Sequence, residues 1–337
     1  MESLEESGRK ERKDRSAIWA LFGVLIGFGL PMFFCLGSLL AASLGLDALG
    51  RNLSPSMAAS QEQQTSGPST GPALAELELR GVITGGTAGL FQTGSLTASE
   101  DLISQVRAAS NNPDVKALVL RVDSPGGDVV ASDEIYHALK SSGKPLVVLM
   151  GAEGASGAYY VSMAADYIIA NPDSLTGSIG VISEFPNAEG LLDKLGVQFT
   201  VIKSGPEKDL GSPYRPMSDA DKAIMQGIVD QAYDGFVSLV ANGRHLPKDE
   251  VLQLADGRVF TGQQALQLGL VDALGYEEDA IAKAAQLGKI SGTPRVIHYG
   301  PGPSLLSFIS SIANTLSPQA LGLDRLWEPS LQYRWTP

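Results

Sequence analysis

The chain has 337 residues, enough for one large domain or two small ones, and 44% of them are hydrophobic while 18% are charged. Its formal net charge is −12, and residues 1–16 contribute nothing to it because they hold five acidic and five basic side chains. The acidic excess therefore belongs to the rest of the chain, which argues against a nucleic acid as a partner.

A stretch without charges runs from Ala17 to Leu46. About 20 apolar residues span a bilayer, so we predict a single transmembrane helix at this stretch, with a cleaved signal peptide as the alternative. Five basic residues precede the stretch, and only Arg51 follows it at a comparable distance. This asymmetry predicts a protein of the cell membrane in which residues 1–16 are cytoplasmic and the chain after the helix is exported. The single cysteine, Cys35, lies inside the stretch, so the exported part offers no thiol for catalysis, disulfides or zinc.

Residues 47–72 are rich in Ser, Gln, Gly and Pro, which predicts a flexible linker. From residue 73 to residue 290, strand and helix patterns alternate, which predicts an α/β domain with a mostly parallel sheet and helices covering it. Strands are predicted at 73–81, 115–122, 145–150, 166–171 and 198–203, and helices at 131–141, 156–165, 188–195, 219–241, 248–255, 262–268 and 276–287. Two capping boxes also predict helix starts, Thr97 with Glu100 for a helix to about Ala109, and Ser218 with Asp221. Residues 291–337 form a Pro-rich tail.

Two glycine-rich segments follow predicted strands and precede predicted helices, DSPGG at 123–127 and GASGAYY at 154–160. Backbone N–H groups at such a turn can bind an anion or an oxyanion. Because Ser156 lies in the second segment, the pair of segments predicts a serine nucleophile facing a glycine oxyanion hole. Taken singly, each segment is also explained as a plain turn or as close packing on small residues.

A serine nucleophile needs a general base. The chain has three histidines, which we interpret as ordinary surface residues: His137, His245 and His298. A lysine is the other option, provided that it is neutral part of the time. Lys208 is best placed because its segment directly follows a predicted strand, although a surface loop lysine is the plainer interpretation. Its neighbours Glu207 and Asp209 favour the ammonium form, so both must point away if Lys208 is the base.

Four segments, taken together and in this order, resemble the motifs of the signal peptide peptidase A family of bacterial membrane-anchored serine proteases: VDSPGGDV, GAEGASGAYYVSMAADYIIANPDSLTGSIGVI, IKSGPEKDLGSPYRPM and ADGRVFTGQQALQLGLVDALG. The resemblance covers about residues 75–290. It implies a crotonase/Clp-protease-like core of repeated βα units, a peptidase without cofactor or metal, and substrates such as cleaved signal peptides and other apolar, unfolded segments near the membrane.

The resemblance also assigns site residues by their position in the motifs. It implies that Ser156 is the nucleophile, Lys208 the general base and Ser178 the residue that holds the lysine amine. It further implies that the oxyanion hole contains Gly127, with the Gly157 amide as a second donor.

The chain has one copy of the motif set and so resembles the half-length form of the family. That form implies a ring-shaped homo-oligomer in which the serine and the lysine come from neighbouring protomers. Glu207 departs from the family pattern, which more often has an aromatic residue or histidine beside the lysine. A rival hypothesis is a non-catalytic binding protein of the same fold, which would need neither Ser156 nor Lys208.

Overall fold

The structure is a computed structural model that describes residues 61–87, 96–300 and 331–334, all within one compact unit. The predicted cytoplasmic tail, the predicted transmembrane helix and most of the predicted linker lie outside these residues and stay predictions. Among the residues described, no helix is both long and apolar enough to cross a membrane.

The described strands, numbered in chain order, form a nine-stranded and a five-stranded sheet. The larger sheet consists of β1 (Gln61–Ser66), β2 (Ala73–Arg80), β5 (Val115–Ser124), β7 (Leu146–Ala155), β8 (Tyr167–Ala170), β9 (Leu175–Gly177), β11 (Val259–Thr261), β12 (Ala273–Leu274) and β13 (Arg295–Gly300). The smaller sheet consists of β3 (Val82–Thr84), β4 (Leu96–Ala98), β6 (Gly126–Asp128), β10 (Ile182–Ser183) and β14 (Leu331–Arg334).

The larger sheet is mixed, with the order β1-β13-β2-β5-β7-β8-β12. The pairs from β13 to β12 are parallel, which confirms the predicted parallel core, whereas β1 runs antiparallel to β13. Strand β9 lies parallel to the end of β7, and β11 pairs antiparallel with β9. The central strands β5 and β7 are almost continuously apolar because both faces of the sheet are covered.

Eight described helices complete the fold, and they lie on both faces of the larger sheet. They are α1 (Ser99–Asn111), α2 (Val129–Lys140), α3 (Gly157–Ser162), α4 (Glu189–Leu195), α5 (Asp219–Arg244), α6 (Lys248–Leu254), α7 (Gly262–Gln267) and α8 (Glu277–Leu287). On one face the main core joins strand residues to buried side chains of α1, α2, α3 and α5, such as Leu102, Ile135, Tyr159 and Phe236. On the other face a smaller cluster packs alanines of α8 against the sheet.

One predicted strand, residues 198–203, is wrong, because this segment has no regular structure. It belongs to residues 180–217, which we call the arm, and no residue of the arm is buried. The apolar side chains that favoured a strand find no partner strand among the described residues, so that 51% of Phe199, 50% of Val201 and 95% of Ile202 is exposed. Phe199 only stacks on Tyr214 of the same arm, with ring centroids 3.9 Å apart.

The two predicted capping boxes have different outcomes. Ser218 and Asp221 form the predicted reciprocal hydrogen bonds at the start of α5. Thr97 does not cap a helix, since α1 begins at Ser99 without a side-chain cap. Instead its hydroxyl exchanges two hydrogen bonds of 2.9 Å with the main chain of Arg80, which ties β4 to the end of β2.

Helix α5 buries its apolar side chains over only part of its length. Its apolar residues fit a single face, but the buried ones all lie in its C-terminal half: Phe236, Val237 and Val240. Ile224 and Ile228, near the arm, are 43% and 41% exposed. The N-terminal half of α5 therefore exposes apolar side chains, as the arm does.

Candidate active site

Ser156 lies at a sharp turn between β7 and α3. Its φ of 56° and ψ of −118° are unusual for a residue with a side chain, and it is 1% exposed. The turn is held on both sides, because the Ser156 N–H donates to the carbonyl of Gly177 at 2.8 Å and the Ser156 carbonyl accepts from the N–H of Tyr160 at 2.8 Å. Such backbone strain costs about 1–3 kcal/mol and is concentrated at functional sites.

Ser178 occupies the equivalent position after the neighbouring strand. Strands β7 and β9 are parallel with Ala155 opposite Gly177, so Ser156 and Ser178 are the next residues on adjacent strands. Ser178 also has a positive φ, 49°, and is 6% exposed. Its N–H donates to the carbonyl of Arg258 at 2.8 Å, which fixes it against β11. The fold thus brings two serines that are 22 residues apart in the sequence side by side.

The two predicted oxyanion-hole glycines lie on elements that contact each other. Gly157 is the first residue of α3, where the backbone N–H has no intrahelical acceptor and can donate to an oxyanion. Helix α3 contacts β6, which contains Gly127. A Cβ on Gly127 would lie 2.1 Å from the carbonyl oxygen of Ile83, so close packing of β6 on β3 already requires a glycine there. The oxyanion role of Gly127 stays a prediction.

Strand β14 lies beside this glycine loop. It pairs antiparallel with β6, where Tyr333 is opposite Gly127, and with β10, where Gln332 is opposite Ile182. It also contacts α3, whose first turn follows Ser156. An extended peptide segment therefore fits the groove between β6 and β10, next to the candidate nucleophile.

The structure of one chain does not join Lys208 to this cluster. Lys208 lies on the arm, in a 3₁₀ turn at Pro206–Asp209, and is exposed. Among the hydrogen bonds of the described residues, none links its amine to Ser156 or Ser178. The serines and the glycine loops meet within one protomer, whereas the predicted base faces outward.

If Lys208 is the base, the carboxylates of its neighbours must point away from its amine. In the structure both carboxylates interact with other side chains. Asp209 accepts hydrogen bonds from Lys203 and Arg215, and these two cations hold the pKa of its carboxyl well below the usual range. The pKa of Glu207 is raised, first by a hydrogen bond with the Asp221 carboxyl. Sequence reasoning overlooked Arg215, although it stands in one of the quoted motifs, because only the fold shows which carboxylates it contacts.

The histidines stay unsuited to the role of base. His137 on α2 is exposed, with its imidazole 3.6 Å from Asp133, and His245 ends α5 with a φ of 55°. His298 lies in β13, and its imidazole is 3.7 Å from the carboxylate of Glu76. In the described part of the chain no hydrogen bond connects any of the three to Ser156.

Comparison with known proteins agrees with this architecture. The sequence model of peptidase family S49 matches residues 138–291, and the Clp protease family model matches residues 90–174. The S49 match contains both serines and Lys208, whereas the Clp protease match contains both glycine loops. The fold is a Clp-protease-like α/β fold with a mixed sheet.

Three relatives illustrate the similarity at the level of sequence. A protein of Synechocystis sp. named as a protease is 45% identical over 221 residues, which cover 65% of this chain and 76% of that protein. A protein of Enterococcus faecium named as a signal peptide peptidase is 37% identical over 230 residues, with coverage of 67% and 66%. Protease 4 of Salmonella typhi is 38% identical over 239 residues, which cover 67% of this chain but only 38% of that protein.

The first of these relatives is matched over 76% of its length. The match to the S49 family model contains both Ser156 and Lys208. The chain belongs to peptidase family S49 and is a serine peptidase.

Proposed function

We propose that the protein is an endopeptidase with a Ser–Lys dyad, in which Ser156 is the nucleophile and Lys208 the general base. The observation that carries the proposal is the strained, buried turn at Ser156, held next to Ser178 and directly before Gly157, whose N–H has no acceptor within its helix. A turn of this kind presents a side-chain oxygen and a backbone donor to the same substrate carbonyl.

The geometry supports a two-step reaction. Neutral Lys208 takes the proton of the Ser156 hydroxyl while the oxygen attacks the substrate carbonyl carbon, and the resulting oxyanion accepts hydrogen bonds from the amides of Gly157 and Gly127. The lysine then gives its proton to the leaving amine, which leaves an acyl-enzyme. Water, deprotonated by the same lysine, releases the second product. Loss of one oxyanion donor costs about 3–4 kcal/mol in such reactions. In this proposal Ser178 orients the lysine amine.

We propose that this dyad is completed between protomers of a ring-shaped homo-oligomer. Lys208 lies on the arm, which has no buried residue and exposes apolar side chains such as Leu195 and Ile202. Apolar surface of this kind gains stability when a second copy covers it. The same burial would desolvate Lys208 and so favour the neutral amine that a base needs.

We also propose that the substrates are extended, apolar peptides, cleaved signal peptides above all. The pairing of β14 with β6 and β10 shows that an extended strand fits beside Gly127, and strand addition is a common mode of peptide binding. One of the relatives carries the name signal peptide peptidase. A substrate that paired with β6 and β10 in the same way would have to displace β14.

Labelling with a serine-directed phosphonate probe tests the proposed function. We expect the intact protein to gain one probe adduct, on the tryptic peptide that contains Ser156, and Ser156→Ala to gain none. Ser162→Ala is the matched control, since Ser162 is a buried serine of the same helix that donates only to the carbonyl of Ala158. It should label like the wild type. A binding module would leave all three proteins unlabelled.

Membrane anchoring through residues 17–46 is part of the proposal, and it predicts a topology. Because the basic residues precede the apolar stretch, the catalytic domain should lie outside the cytoplasm. Protease added to intact spheroplasts should digest the domain while a cytoplasmic marker protein survives. A domain that resists digestion until the membrane is lysed would contradict the orientation.

A further inference from the structure

The lysine-bearing turn has no apolar anchor of its own. From residue 180 to residue 217 no side chain is buried, so hydrophobic packing within the chain does not fix the position of Lys208. A general base needs a fixed position, because a misplacement of about 1 Å can cost about 100-fold in rate. Within one chain, the polar contacts around Pro206–Asp209 therefore hold this turn in place.

Arg215 makes three of these contacts, all of them hydrogen bonds to Asp209, the last residue of the turn. Its Nε donates to Oδ2 of Asp209 at 3.1 Å and its Nη2 to Oδ1 at 2.8 Å, a two-point pair. The same Nη2 also donates to the carbonyl oxygen of Asp209 at 3.3 Å. Asp209 is the residue after Lys208, and Lys203 braces the turn further by donating to Asp209 and to the carbonyl of Pro206.

The other end of Arg215 reaches the helix that is rooted in the core. Its Nη1 donates to Oδ2 of Asp221 at 2.6 Å, and Asp221 is completely buried. Asp221 belongs to the capping box of α5, whose far half packs into the main core through Phe236 and Val240. Arg215 thus connects the lysine turn to the start of a fixed helix.

We propose that Arg215 is a positioning residue for Lys208, acting through Asp209, and this inference rests on the proposed function. The planar guanidinium can hold two carboxylates at once, one through a two-point pair, which a lysine ammonium cannot do. It also compensates the charge of Asp209, which would otherwise favour the ammonium form of the neighbouring base. Arg215 touches no substrate in this role.

Two variants test the contact without leaving the buried Asp221 unpaired. Asp209→Asn removes the charge at the turn and keeps the Arg215–Asp221 pair, and Arg215→Lys keeps the charge but loses the two-point geometry. We expect each to lower kcat by about 10- to 100-fold with KM, thermal unfolding and oligomeric state little changed. Asp234→Asn is the matched control, because Asp234 lies on α5 like Asp221 and its exposed ion pair is with Lys248 of α6. Wild-type kcat in Asp209→Asn would overturn the inference.

Mixed oligomers separate a positioning role from a general structural one. Asp209→Asn co-expressed with Ser156→Ala should regain activity, because the second chain supplies a well-held Lys208 and the first an intact Ser156. Asp209→Asn with Lys208→Ala should stay at the low level of Asp209→Asn, since neither chain offers a properly held lysine.

Co-expression of Ser156→Ala with Lys208→Ala distinguishes a failure of the shared dyad from a failure of the positioning role of Arg215. If that pair fails to regain activity, the shared dyad of the proposed function falls, and the kcat of Asp209→Asn still decides the role of Arg215. If that pair succeeds and Asp209→Asn also complements Lys208→Ala, the positioning role is wrong.

Discussion

Ser156→Ala is expected to lower kcat for peptide hydrolysis by about 10⁶-fold, the order of magnitude seen when the serine nucleophile of a serine protease is removed. The alanine retains the Cβ and adopts the same backbone, so the hydrogen bonds of the turn to Gly177 and Tyr160 remain. Thermal unfolding and oligomeric state should therefore match the wild type. Substantial turnover by the purified variant would contradict the assignment of the nucleophile.

A second substitution at this position connects the activity to the backbone strain. Ser156→Gly should be equally inactive, yet more stable than Ser156→Ala by about 1 kcal/mol, because glycine adopts a positive φ without steric cost. Comparing the unfolding midpoints of the two inactive variants measures this difference. A glycine variant that is less stable than the alanine variant would mean that the turn is not strained in solution.

Co-expressed Ser156→Ala and Lys208→Ala chains are expected to regain activity that neither has alone. In a ring where each site takes its serine from one protomer and its lysine from the next, random mixing makes about a quarter of the sites intact. Two different affinity tags allow mixed oligomers to be purified before the assay. The physical basis is the exposed Lys208, which no described hydrogen bond joins to Ser156 of its own chain.

The control for this experiment is each variant assembled with itself, which should be inactive. Purified mixed oligomers without activity would show that serine and lysine meet within one chain. In that case the arm would have to fold back onto the Ser156 turn, and its apolar side chains would be covered by the same protomer.

The sequence-based prediction and the structure disagree in the arm. Residues 198–203 have the composition of a strand, and the exposed Phe199, Val201 and Ile202 explain why the pattern was misleading. Apolar, β-branched residues favour a strand only when a partner strand is available. The prediction used the local pattern alone, and among the described residues no strand pairs with residues 198–203.

Local signals alone determined much of the fold and the candidate nucleophile. The apolar runs of β5 and β7, the small residues at their ends and the capping box at Ser218 identified these elements correctly, because periodicity, turn chemistry and capping act over a few residues. They also located Ser156 at the turn from a strand into a helix, and the motifs gave the family.

Only the tertiary structure determined which residues and strands are neighbours in the folded chain. The register of β7 against β9 sets Ser178 beside Ser156. The packing of β6 on β3 requires a glycine at position 127. No local pattern predicted the strands β1, β13 and β14. Arg215 reaches Asp209 and Asp221 only in the folded chain. These contacts depend on long-range pairing and on the geometry of several elements together, so no local stretch of sequence contains them.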